Sequence, residues 1–190
     1  MNSVLLYHVG FDEVKAPDIR FGRANADFGQ GFYLSADKNF SERWARTRKD
    51  RATYLNAYEL TLDGLNVKRF SRDEAWFSYI FKNRAGYADE LKEFDVIVGP
   101  IANDTLYDTW GITTSGLISR EKSMEILTAG PLYEQTVIKT ERAAGQLKWL
   151  SSRILSFDEI SRFRDTVRLE EEEYQTTVRN LLGDILEMLD

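Results

Sequence analysis

The 190-residue chain has no cysteine, one histidine and only three prolines. Without cysteine there is no disulfide, no thiolate metal site and no cysteine nucleophile. With a single imidazole, a zinc centre would need carboxylates for almost every other ligand, and no metal is expected. Long hydrophobic runs are missing too. The longest near the N-terminus, Val4-Leu5-Leu6-Tyr7, is too short for a signal peptide or a membrane span. A soluble, cytoplasmic protein with no membrane association is therefore expected. Basic excess is also absent: 25 Lys and Arg face 31 Asp and Glu, for a net charge of −6. A protein held on nucleic acid by its overall charge is usually basic. No P-loop glycine pattern occurs, and no serine stands in a nucleophile-elbow frame. Gly29-Gln30-Gly31 looks like the start of a dinucleotide fingerprint, but Leu34 occupies the third glycine's place and the segment leads into a strand pattern. What remains for chemistry is the histidine, carboxylates, hydroxyls and amides.

What is present suits a packed core, with 43% hydrophobic and 13% aromatic residues. The charge is unevenly spread. Residues 151–190 hold five arginines and ten acids, so the acidic balance belongs mostly to a tail and the first 150 residues are nearly neutral. Ser156-Phe157-Asp158-Glu159 reads as a capping box that opens a helix. The boundary is accordingly placed after residue 155, giving a domain over 1–155 and an amphipathic helix over 156–190. That helix carries Ile160, Phe163, Val167, Tyr174, Val178, Leu181, Ile185 and Met188 along one stripe, interrupted by the acids of 170–173. The stripe packs either on the body or on another chain.

Within the body the hydrophobic period keeps changing, as expected of mixed structure. Strands are expected at 4–9, 31–35, 54–62, 94–98, 133–139 and 147–150. Helices are expected at 40–50, 72–83 and 119–127, and Gly99-Pro100 is expected to end its strand. The elements do not alternate as regular βαβ units, so the fold class is α+β.

Two segments stand out. His8 lies inside an apolar strand, where histidine is either a satisfied core residue or a functional one. The run Asp27-Phe28-Gly29-Gln30-Gly31-Phe32-Tyr33-Leu34-Ser35 combines two glycines with three aromatics. It reads either as a tight turn entering a core strand, or as a loop that lets a flat ring approach the backbone and stack. Two lesser candidates have similar alternatives. Asn103 or Asp104 caps a following helix or contacts ligand from a loop. Arg23 is a solvated surface arginine or meets a pyrophosphate.

In order along the chain stand Leu6-Tyr7-His8, the run from Asp27 to Ser35, Trp44-Ala45, Gly99-Pro100-Ile101-Ala102-Asn103-Asp104 and Tyr133-Glu134-Gln135. This succession resembles the poly(ADP-ribose) polymerase and diphtheria-toxin group of ADP-ribosyltransferases. More closely, it resembles a bacterial family regarded as ADP-ribosyltransferase-like, domain-of-unknown-function family 3990. The resemblance covers residues 4–150 and stops before the tail. It implies a split β core with flanking helices, with the long C-terminal helix added to it, and NAD as co-substrate.

By the same resemblance, His8 hydrogen-bonds the adenosine ribose, the backbone of Val9 grips the nicotinamide carboxamide, and Tyr33 stacks on the nicotinamide ring. A cationic pyridinium is drawn to an aromatic face for electrostatic reasons. Phe28 and Gly31, in the same loop, are counted with the binding residues, as are Arg23, Asn103 and Asp104. If Tyr33 faces the ligand, Phe32 and Leu34 face the opposite layer. Two departures stand out. The glycine that follows the histidine in the group is Val9 here, with Gly10 displaced by one. The group's ribose-binding glutamate is matched by Gln135, which can hydrogen-bond but carries no charge and cannot act as a base. With His8, Tyr33 and Gln135 as the catalytic set, the expectation is single ADP-ribose transfer, slow NAD hydrolysis or binding alone, not chain elongation. The resemblance further implies the toxin half of a toxin–antitoxin pair. A small antitoxin, or a second copy of the chain, is then the partner expected along 157–190, with the ADP-ribose acceptor unspecified.

Overall fold

The structure, a computed structural model, describes the backbone of residues 2–101, 128 and 131–187, and the side chains of these except 178 and 181–187. Among the described residues seven strands form two sheets. The first is antiparallel, in the order β1 (Ser3–Gly10), β3 (Thr53–Thr61), β7 (Leu147–Leu155). The second runs β2 (Phe32–Leu34), β6 (Glu134–Ile138), β5 (Val96–Pro100), β4 (Val67–Arg69), and only its β4–β5 pair is parallel. With them, among the described residues, stand the α-helices α1 (Lys38–Glu42), α2 (Glu74–Arg84), α3 (Glu141–Gly145) and α4 (Phe157–Glu187). The fold is α+β with a split β core. The two sheets touch through one antiparallel bridge between β1 and the end of β2, in which Tyr7 and Ser35 exchange backbone hydrogen bonds of 2.8 and 3.0 Å.

Alternation along the strands builds the core. Leu6 of β1, Tyr58 and Leu60 of β3, Leu34 of β2, Val96 and Val98 of β5 and Ile138 of β6 form one buried cluster, with Phe32 packed against it. The other face of the four-stranded sheet carries Ile97 and Val137, both fully buried. Phe28 packs over Gly99 there, where a Cβ would come within 2.9 Å of its ring, and Phe28 in turn lies near-parallel to Phe70 and Tyr79. The buried face of α2 is Trp76, Tyr79, Ile80 and Asn83. Phe77 and Phe81, though apolar, are only partly buried, and Tyr79 and Asn83 complete the buried face beside Trp76 and Ile80. The buried Trp76 indole donates to the Pro100 carbonyl at 2.8 Å.

Other expectations change in detail. Helix α1 stops at Glu42 instead of reaching residue 50, because beyond Ala45 the segment offers Arg46, Arg48, Lys49 and Asp50 and nothing apolar to bury. The strand ends at Gly99-Pro100 as expected, but both residues still pair within it. They remain in β5, paired with Gln135 and Glu134, at positions where β4 has already run out and no donor is required of the proline on that side. Strand β7 continues five residues past the expected end at Leu150, and its polar stretch is the outer edge of its sheet. The expected helix over 119–127 lies outside the described residues, as do Asn103 and Asp104.

The capping box forms as read: the Ser156 hydroxyl accepts from the Glu159 N–H at 3.2 Å, and the Glu159 carboxylate accepts from the Ser156 N–H at 2.8 Å. The chain divides into two compact units, the first comprising residues 1–101 and 133–165, while α4 from Thr166 onward belongs to the second. Within the first unit Ile160 is buried with Ala45, Leu55 and Leu155, and Phe163 packs against them. Among the described residues no helix is long and apolar enough to cross a membrane.

Candidate functional site

His8 sits in β1 directly opposite Asn56 of β3. Its Nδ1 lies 2.9 Å from the Tyr33 carbonyl oxygen. A carbonyl only accepts, so Nδ1 carries the proton and the neutral ring presents Nε2 as an acceptor. Burial lowers the pKa of the imidazole, with the Tyr33 carbonyl opposing, so the neutral ring is favoured. The Phe32 ring stands 4.6 Å away, centroid to centroid. On its other side a Cβ at position 10 would come within 3.0 Å of Nε2, so the displaced glycine leaves room for the ring. Asn56, fully buried, ties down the chain that follows His8. Its Oδ1 accepts from the Val14 N–H and the Ser152 hydroxyl, and its Nδ2 donates to the Asp12 carbonyl. The only trace of this role in the sequence was a polar residue on the buried face of an alternating strand.

The segment from Asp27 to Tyr33 forms a closed loop. The Tyr33 hydroxyl donates to the Gly29 carbonyl at 2.6 Å and accepts from the Phe28 N–H at 3.0 Å. Gly29 has φ +71°, where a side chain is strained. At Gly31 a Cβ would meet the Ile138 oxygen and the Val137 side chain, both at 2.6 Å, so glycine there lets β2 seat on β6. Both glycines thus serve the turn, and the hydroxyl of Tyr33 is occupied by the loop while its ring is only partly covered. Burial raises the Tyr33 pKa far above its usual value, keeping the hydroxyl a donor. Arg23 is exposed, yet its charge acts on that hydroxyl.

Beneath the loop lies Lys139, which sequence reasoning passed over. Its ammonium donates to the Phe28 carbonyl at 2.5 Å and to Asp89 at 2.6 Å, with a side chain only 2% exposed. Asp89 also accepts from the Tyr79 hydroxyl at 2.6 Å. Burial works to raise the Asp89 pKa, but the Lys139 ammonium, the Tyr79 hydroxyl and the Leu91 amide together bring it below the usual value. For Lys139, desolvation dominates and lowers the pKa despite Asp89. This buried pair holds the loop's position from below.

Gln135, largely buried in β6, donates from Nε2 to Asp27 Oδ2 at 3.3 Å. Arg84, from the end of α2, donates to Asp27 Oδ1 at 2.5 Å, and the Asn83 amide donates to the Asp27 carbonyl at 3.1 Å. The pairing Tyr33↔Val137 puts Tyr33, Val137 and Gln135 on one face of their sheet, because alternate residues share a face. Across the Tyr7↔Ser35 bridge, the Val9 side chain packs against the cluster of Ala45, Leu55, Leu155 and Ile160 on the three-stranded sheet. His8, Phe32 and Leu34 point the other way. The structure therefore brings Tyr33 and Gln135, taken from two separate motifs, to one face and links His8 to Tyr33 through the Tyr33 carbonyl, while the Val9 side chain packs apart from them. Phe28 is fully buried between the loop and α2. Among the described residues no group of three or more His, Asp or Glu side chains could hold a metal ion.

Apart from Ser152, this arrangement lies within residues 4–149, which match the family model described as Protein of unknown function (DUF3990). The chain belongs to that family. No curated protein and no solved structure gives a significant match. Within this DUF3990 chain, all five ordered motifs fall inside the matched span, and α4 lies beyond it.

Proposed function

We propose that this protein is an NAD-dependent ADP-ribosyltransferase-like enzyme, which splits nicotinamide from NAD and passes a single ADP-ribose to a macromolecular acceptor. In the same reading it acts in the cytoplasm as the toxin half of a toxin–antitoxin pair. The observation that carries the proposal is the shared face of the Tyr33 ring and Gln135, with a neutral His8 joined to the same strand through the Tyr33 carbonyl. Each group then has a task that its chemistry suits. His8 Nε2 accepts from a ribose hydroxyl. The Tyr33 ring attracts the cationic pyridinium. Gln135 accepts from the nicotinamide ribose. When the glycosidic bond breaks, its electron pair leaves with nicotinamide and positive charge develops on the ribose, which the acceptor nucleophile then attacks. Glutamine offers this charge only a dipole, which favours one slow transfer over repeated elongation.

Calorimetry with NAD tests the binding. Tyr33→Ala is expected to weaken it by about 1 kcal/mol or more, the scale of a stacked cation. Unchanged affinity in both Tyr33→Ala and His8→Ala, with folded proteins, refutes the assignment. Release of nicotinamide separates an enzyme from a binding module. Labelled ADP-ribose on a macromolecule separates transfer from hydrolysis by water.

A further inference from the structure

Resting on that reading, we propose that Asp27 is the positioning residue of the site: its carboxylate fixes the Gln135 amide so that Oε1, an acceptor, faces the ribose of the nucleotide, and it lends that amide negative charge. An amide can be turned either way, and its two ends differ only in what they can bond. The neighbour decides between them. A carboxylate accepts and cannot donate, so the atom of Gln135 that stands 3.3 Å from Asp27 Oδ2 must be the N–H₂ group. The carbonyl end then points away from Asp27. In that orientation Gln135 offers an acceptor, as a glutamate would.

Asp27 is itself held from two sides. Arg84 pairs with Oδ1 in a charge-assisted hydrogen bond, while Oδ2 faces the amide. Asn83 secures the main-chain carbonyl of Asp27. Both acid and guanidinium are 12% exposed, so their charges act through a poorly screened environment. A hydrogen bond to a charged acceptor polarises its donor, which leaves more negative charge on Oε1. The anionic charge missing from position 135 thus stands one hydrogen bond behind it. A direct consequence is that Gln135→Glu sets two carboxylates side by side and does not simply restore a better catalyst.

The test is a charge swap, read by nicotinamide release from NAD and by melting temperature. Asp27→Asn is expected to lower kcat by about tenfold or more with KM within about threefold, as when an interaction matters mainly in the transition state. Gln135→Glu is expected to lose a similar factor through repulsion. In the double variant Asp27→Asn/Gln135→Glu the amide and the carboxylate change places, so the donor stands at position 27 and the acceptor at position 135. Its kcat should return to within about threefold of wild type, since the singles act on one contact and are not additive. Wild-type kcat in Asp27→Asn, or a double variant no better than the product of the singles, overturns the proposal. If wild-type protein neither binds NAD nor releases nicotinamide, the functional reading fails. The amide's orientation is then decided by melting alone: coupled single losses restored in the double variant uphold it, and additive losses reject it.

Discussion

Tyr33 divides its side chain between two tasks, and a single atom separates them. The hydroxyl bridges Phe28 and Gly29, closing the turn, while the ring is the part that can face a ligand. Tyr33→Phe keeps the ring and orphans a backbone N–H and a carbonyl, each of which costs roughly 1–3 kcal/mol if left without a partner. The expected outcome is a lower melting temperature for Tyr33→Phe, with NAD affinity much closer to wild type than that of Tyr33→Ala. Equal loss of affinity in both variants would show that the turn, not the ring, matters for binding. Side-chain chemistry of this sort was only half legible in the sequence. The two glycines and three aromatics marked the loop, but whether the glycines served a ligand or the turn depended on Val137 and Ile138, far along the chain in β6. Asp27 was visible only as the first letter of a motif. Its role needs Arg84 and Gln135 brought to it by α2 and β6.

At the scale of elements, a second acid, Asp95 just ahead of β5, ties its own strand to the starts of β4 and α3. Asp95 accepts from the Asn66 N–H ahead of β4, the Thr140 hydroxyl ahead of α3, and Arg142 within α3. The Arg142 guanidinium, with Thr140 and Asn66 adding to it against burial, holds the Asp95 carboxyl down to about 2. A depressed carboxyl contributes stability above its unfolded value near ~4, and that contribution is lost as pH falls toward the folded value. His8 acts earlier. Burial lowers its pKa from 6.5, so the unfolded chain binds the proton more readily and stability falls as pH drops below about 6.5. On the acid side of pH ~7, melting temperature should therefore fall in two stages, beginning near ~6.5 and again below ~4. His8→Gln should remove the first stage alone, and a flat profile from ~7 to ~5 in wild type would contradict the neutral, partly buried ring. Strand β3, which alternates, and β1, which is an apolar run, were legible from the sequence because their side chains build core. The three residues of β4 and the polar half of β7 were not, because edge position and pairing, not side-chain pattern, make them strands. The common face of Tyr33 and Gln135 was likewise hidden, since it depends on the register of β2 against β6.

For the whole molecule, the capping box at Ser156 marks the start of a helix without marking the end of a folded unit. The first compact unit continues to Asp165, and α4 contributes Ile160 and Phe163 to the cluster around Ala45, Leu55 and Leu155. Arg153 reinforces the junction, reaching Glu159 at 2.7 Å and the buried Glu42 at 3.4 Å. Ending the chain after residue 155 would strip these contacts and expose Leu55 and Leu155, whereas ending it after residue 165 keeps them. Burial of a large apolar side chain is worth roughly 1.5–3 kcal/mol, so the loss of Ile160 and part of Phe163 is a sizeable fraction of a typical domain's stability. A chain of residues 1–155 should therefore melt well below one of residues 1–165 and bind a dye that seeks exposed apolar surface. Identical melting of the two would mean that Ile160 and Phe163 add nothing to the body, and that the working boundary lies at the capping box after all.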